Sequence, residues 1–156
     1  MNPTPKPFKR PVSVLVVIHH QYQQFLLLQR SDNPLFWQSV TGSLETDETP
    51  LQTAVRELCE ETGVCLSASD IDDWHLSYDY DIYPEYWYRY APNVRTNTEH
   101  VFSVNIAPNA TITIAPREHS AYQWVDADTA LSMAYSPSNQ QAIAALIQQG
   151  KNKVSQ

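Results

Sequence analysis

Apolar and polar positions along the chain fall into two rhythms, and each marks out elements. Residues 12–18 form an apolar run interrupted by Ser13 and rich in Val and Ile. Such a run predicts a strand buried on both faces. Residues 22–24 read as a turn and 25–29 as a second strand, so the pair predicts a hairpin. The Ser-Asp-Asn-Pro stretch at 31–34 is a loop by composition. Residues 37–41 predict a short strand ending at Gly42.

The rhythm then changes. Leu51, Ala54, Val55, Leu58 and Thr62 recur at helical spacing. Thr49 suits the N-cap, Pro50 the first helical position, and Gln52 completes a capping box. Gly63 stands where a left-handed C-terminal cap is wanted. The spacing predicts a helix over 50–62. Further strands are expected over 74–80, 86–90, 101–106 and 121–125, with Pro84, Pro92 and Pro108 as breaks. Asp126 is placed to cap a short helix through 131. A last helix is expected from 137 or 138 to about 149, with Ala142, Ile143, Leu146 and Ile147 inward and Gly150 after it. Strands mixed with two or three helices imply an α/β or α+β sandwich. The organisation expected is an extended arm over 1–8, where prolines alternate, one domain over 9–150, and a polar tail over 151–156.

Charge narrows the partners. The chain carries 10 Lys and Arg against 17 Asp and Glu, a net charge of −7, so it lacks a basic footprint for nucleic acid. A phosphate-rich small molecule would need a cation to bridge like charges. Cys59 and Cys65 cannot form a disulfide scaffold and read as reduced, partly buried thiols. The apolar run at 12–18 is far shorter than a membrane span. Lys6, Lys9 and Arg10 precede it, but no small-residue cleavage site follows. A cytoplasmic protein with no membrane partner is expected, as a monomer or weak homodimer.

The polar side of the 50–62 helix carries the chemistry. Glu57, Glu60 and Glu61 fall within a roughly 100° arc away from the apolar face. Like charges at this spacing destabilise a helix, and anions are disfavoured in its C-terminal half. Such broken rules are expected where a site needs the charges. Three carboxylates make a hard oxygen ligand set suited to Mg²⁺ or Mn²⁺. The ordinary alternative is a solvated acidic face.

Context separates the two. Gly42, five residues, Glu48, seven residues, then Arg56-Glu57-Leu58-Cys59-Glu60-Glu61-Thr62-Gly63-Val64 resembles the Nudix box. Seven positions of that pattern fix residue identity, so chance gives on the order of 10⁻⁹ per start site. The resemblance implies an α/β/α sandwich with a mixed sheet and a loop-helix-loop catalytic box. It also implies metal-dependent hydrolysis of a phosphoanhydride. Glu57, Glu60 and Glu61 would then be catalytic and metal-binding carboxylates. Arg56 would orient a glutamate such as Glu48 through a bidentate contact, and Gly42 would let the backbone turn tightly into the box.

Within the family, further stretches resemble the bacterial dihydroneopterin triphosphate pyrophosphohydrolases. They are residues 9–13, 36–42, 89–92 and 97–99, Glu118-His119 with Tyr122 and Trp124, and Ser138-Asn139 with 141–143. This resemblance implies a small-molecule pterin triphosphate as substrate, cleaved to the monophosphate and pyrophosphate, in folate biosynthesis. A nucleoside triphosphate is the alternative substrate. A non-catalytic nucleotide sensor is a third reading, and the intact glutamates argue against it. Lys9 and Arg30 suit contacts to a triphosphate, Thr41 a hydrogen bond to substrate, and Glu118 one more metal ligand. His119 beside it reads as a structural neighbour. Alternation of Tyr86, Tyr88 and Tyr90 places them on one strand face. Tyr80, Asp81, Ile82 and Tyr83 are expected to wall a ring pocket, with Ser136 as a further polar contact. Trp37 reads as packing under the box loop.

Overall fold

The computed structural model describes residues 7–154. Most of the expected arm therefore lies outside the described residues. The strands are β1 (Val12–His20), β2 (Gln24–Arg30), β3 (Trp37–Gln38), β4 (Val40–Ser43), β5 (Asp72–Asp81), β6 (Thr96–Asn105) and β7 (His119–Asp126). The helices are α1 (Pro50–Thr62), α2 (Ala127–Met133) and α3 (Pro137–Val154).

All seven strands join one mixed sheet. The order β3-β2-β1-β6-β5 forms its spine, with β4 beside β1 and β7 beside β2. β1 runs parallel to β6 along one edge; its other edge pairs antiparallel first with β4 and then with β2. Both faces of β1 are covered, which explains its unbroken apolar run. Val14, Val16, Ile18, Val40 and Phe102 pack against Ala54 and Leu58 of α1. Leu15, Val17, Phe25 and Val101 pack against Ala130 of α2 and Ala142, Ile143 and Leu146 of α3. The result is the expected α/β/α sandwich.

α1 has the bounds the sequence predicts. Thr49 and Gln52 form a reciprocal capping box, and Gly63 ends the helix at φ 74° with its N–H donated to the Cys59 carbonyl. That turn folds the chain back so that Cys59 and Cys65 lie 4.4 Å apart at Cα and are joined in a disulfide. This corrects the expectation of reduced thiols: a count of two excludes a scaffold, not one local bridge across a turn.

Three other expectations need correction. Residues 84–89 form a 3₁₀ turn rather than a strand, because Pro84 takes its first turn and i→i+3 bonds close at Tyr86 and Tyr90. Tyr86, Tyr88 and Tyr90 consequently do not share a strand face. The strand expected over 37–41 divides into β3 and β4, and β4 continues past Gly42. α3 does not stop at Gly150 but runs to Val154, so the expected polar tail begins as helix. Gly150 is wanted there for space, since a Cβ would lie 2.5 Å from Tyr22 Cβ.

Gly63→Ala puts a side chain in left-handed backbone, with Thr113 Cβ 3.2 Å away. It is expected to lower stability by about 1–2 kcal/mol. Urea unfolding checks this, and an unchanged midpoint would contradict the cap assignment.

Candidate active site

A cleft of about 490 Å³ opens between the C-terminal half of α1, strand β4, the turn before β7 and the 3₁₀ segment. Among the described residues, five Lys or Arg side chains line it: Lys9, Arg30, Arg56, Arg89 and Arg117. In an acidic protein this concentration makes the cleft the natural place for a polyanion.

The acidic wall is braced by Arg56. Its Nε donates to Glu48 Oε2 at 2.7 Å and its Nη2 to Glu48 Oε1 at 2.8 Å, a bidentate pair. Nη1 donates to Glu57 Oε1 at 2.8 Å, and Nη2 to the Ser43 carbonyl at 3.2 Å. Glu48 is held in turn by Thr53 Oγ1 and the Glu45 N–H. Arg56 holds the Glu48 carboxyl down at about 2. Glu48 therefore stays ionised behind the cleft and keeps the guanidinium aimed at Glu57.

Glu57 and Glu61 lie side by side. Burial pushes the Glu57 carboxyl up, against the pull of Glu61 and Arg56. Glu61 is 2% exposed, and burial, then the charge of Glu57, raises it to about 10. Taken as a carboxylate, its Oε2 has no partner; taken as an acid, it donates to Glu57. Either way the pair is short of positive charge.

Gly42 explains the room for this pair. It sits in extended β4, opposite Val14, and does not form a tight turn. A Cβ there would lie 2.2 Å from Glu57 Cδ. The box glycine is thus a vacancy for a carboxylate, which corrects the turn expected from the resemblance.

The third wall comes from β7. Glu118, Glu61 and His119 bring ligand atoms within 4.8 Å of one another. His119 is 2% exposed, and its Nε2 lies 3.6 Å from Glu61 Oε1. Burial, then Arg30, lowers its pKa and keeps it neutral, the form that can ligate. Its Nδ1 is buried without a partner. Sequence reasoning gave His119 no role, although its place beside Glu118 was a signal. The buried, unpartnered Glu61 oxygen and the clustered oxygen donors fit a hard divalent cation.

Other expected site residues divide. Thr41 and Tyr80 line the cleft with Lys9, Arg30 and Glu118. Arg30 is engaged by Asp32, through an Nε bond of 2.8 Å to Oδ1. Glu60 does not line the cleft; it is 59% exposed and reaches Arg56 Nη1 at 3.3 Å. Ile82 is buried, Asp81 and Tyr83 are exposed, and none of the three lines the cleft. Ser136 instead caps α3, accepting from Asn139 N–H at 3.1 Å. Tyr90 and Arg89 line the cleft in their place. The alternation of Tyr86, Tyr88 and Tyr90 reads as a strand and so gives no sign that Arg89, ending the 3₁₀ segment, and Tyr90 after it turn to the cleft.

Gly42→Ala is expected to leave the fold intact, because the crowded atoms belong to a flexible side chain. It should displace Glu57 and lower kcat by about a hundredfold or more. Activity and circular dichroism on one preparation check this; full activity would contradict the role given to Gly42.

The NUDIX domain model matches residues 9–146. The chain is 43% identical over 141 residues to the dihydroneopterin triphosphate diphosphatase of Escherichia coli K12, spanning 88% of this chain and 93% of the relative. It is 40% identical over 139 residues to that of Haemophilus influenzae, spanning 87% of each. The solved structure of the E. coli dihydroneopterin triphosphate pyrophosphohydrolase superposes with a TM-score of 0.81 at 42% identity, covering 91% of this chain and 98% of that one. A box helix that crowds its carboxylates against a strand glycine, in a domain matched along most of its length, makes this chain a member of the Nudix family.

Proposed function

We propose that the chain is a metal-dependent pyrophosphohydrolase that converts 7,8-dihydroneopterin triphosphate to dihydroneopterin monophosphate and pyrophosphate. The observation that carries this reading is the meeting of Glu57, Glu61 and Glu118 in a cleft that five Lys and Arg side chains also line. Its similarity to dihydroneopterin triphosphate diphosphatases over nearly the whole chain supports the choice of substrate. Nucleoside triphosphates remain the competing substrate class.

Glu57, Glu61 and Glu118, with His119 beside them, would hold Mg²⁺ or Mn²⁺. Glu60, exposed and paired with Arg56, is better suited to bracing than to ligation. A bound divalent ion supplies neutralisation of phosphate charge and a lower pKa for water. The chain's own groups do the rest. Lys9, Arg30, Arg89 and Arg117 face the triphosphate and fix it along the cleft. Arg56 keeps Glu57 from swinging away. Water attacks one phosphorus of the α–β bridge, that bridging P–O bond breaks, and the monophosphate and pyrophosphate part. A carboxylate of the cluster takes the proton from the attacking water.

Among the described residues no helix is long and apolar enough to cross a membrane. A cytoplasmic location suits an enzyme of folate biosynthesis, and a monomer suffices for the cleft.

Glu57→Gln and Glu61→Gln should each lower kcat by about a hundredfold or more with the fold retained. Near-normal turnover in both would remove the assigned centre. EDTA should stop pyrophosphate release and Mg²⁺ restore it; full activity in chelated buffer would exclude the metal. Against a nucleotide panel, the pterin triphosphate should be cleaved fastest, and a nucleotide preferred about tenfold would favour the competing class. The carboxyl of Glu61 also sets a pH dependence. Its folded value, about 10, exceeds its unfolded value of 4.5. The unfolded chain gives up this proton first, so the stability due to neutral Glu61 is complete below about pH 4.5 and declines toward pH 10. In EDTA the melting temperature should therefore fall between pH 5 and 9, and Glu61→Gln should flatten that fall. An equal slope in both proteins would contradict the assignment.

A further inference from the structure

The cleft has an end that the hydrolytic chemistry leaves unused. Glu99 of β6 lines it, yet is 5% exposed. Ser138 Oγ, in the first turn of α3, donates to its Oε1 at 2.8 Å. Among the described residues no hydrogen bond reaches the other oxygen, and no cation pairs with Glu99. Burial raises this carboxyl to about 7. A buried carboxylate with so little compensation is costly. Such a group persists where a ligand brings the missing donors.

Its surroundings suit a flat polar ring. Ser13 lies opposite Glu99 in the β1–β6 register, and Asn97 precedes it by two on the same face. Asn97 is buried, donates Nδ2 to Ser13 Oγ at 2.8 Å, and leaves its Oδ1 without a partner. Tyr80 pairs with Asn97 across β5–β6 and lines the cleft with Tyr90. After burial, the Glu99 charge is the next largest influence raising the Tyr80 phenol. Tyr80 and Tyr90 thus share the cleft with this carboxyl group, and the Tyr80 phenol feels its charge.

We propose that Glu99 reads the edge of the substrate's ring. Its two oxygens would accept the two parallel N–H bonds of a 2-amino-4-oxopyrimidine edge, one from the ring nitrogen and one from the exocyclic amine, between Tyr80 and Tyr90. Oε1 has a second lone pair, so the Ser138 bond is kept. This edge occurs in reduced pterins and in guanine. A carboxylate matches both of its donors, whereas an amide matches one and opposes the other. The assignment rests on the pyrophosphohydrolase reading and adds the group that selects the ring.

Ring-only ligands test it without turnover of the ring itself. We would measure 7,8-dihydroneopterin and its 2-oxo counterpart, which lacks the amine, as competitive inhibitors of pterin triphosphate cleavage. The 2-amino ring should bind about tenfold tighter or better. Equal inhibition by the two, or inhibition by neither, overturns the assignment in the wild type, with no variant needed. Guanosine binding as tightly as dihydroneopterin would keep the edge but overturn its assignment to a pterin. Glu99→Gln should lower kcat/KM for the pterin triphosphate about ten- to a hundredfold, mostly through KM, and erase the inhibitor difference. A variant that keeps the difference overturns the assignment. If the wild type leaves the pterin triphosphate intact, the proposed function fails; the two inhibitors, tried against whichever triphosphate it cleaves, still judge Glu99.

Discussion

Two carboxyl groups, Glu57 and Glu61, are packed against each other on one helix face with too little positive charge to satisfy them. The rest of the site is built around that tension. Arg56 touches Glu57 but is shared with Glu48, and Glu48 is fixed by Thr53 and the Glu45 N–H. The brace sets the direction of Glu57 without neutralising Glu61. β4 gives up a side chain at Gly42 to admit Glu57. Helix stability, strand packing and desolvation are each compromised for one arrangement of oxygens, which is the pattern of a functional centre.

The sheet explains how the cleft obtains two chemically different ends. α1 covers one face and delivers the acidic cluster, while α2 and α3 cover the other. β6 threads between them beside β1, so Glu99 points to the α3 side at the same mouth. Phosphate chemistry and ring recognition thus come from opposite faces of a shared pair of strands.

Much of this was legible in the chain itself. Thr49, Pro50, Gln52 and Gly63 are local signals, and they fixed α1 to the residue because caps depend on near neighbours. β1, β2, β6 and β7 followed from apolar runs, with ends shifted by a few residues. The 3₁₀ segment at 84–89 was misread because tyrosine favours strands, whereas Pro84 and local i→i+3 bonds decided otherwise. Of the ring wall expected over 80–83, Tyr80 lines the cleft, joined by Tyr90 from the end of the 3₁₀ segment. The disulfide, the vacancy at Gly42, and the roles of His119 and Glu99 depend on contacts between distant segments or across a turn, which periodicity does not encode.

The central claim is that Glu57, Glu61 and Glu118 together grip a divalent cation. Anomalous diffraction from crystals soaked in Mn²⁺ tests it most directly. The account requires a manganese peak within ligand distance of oxygens from all three side chains. Peaks confined to other surfaces, from a preparation that turns over with Mn²⁺, would contradict it.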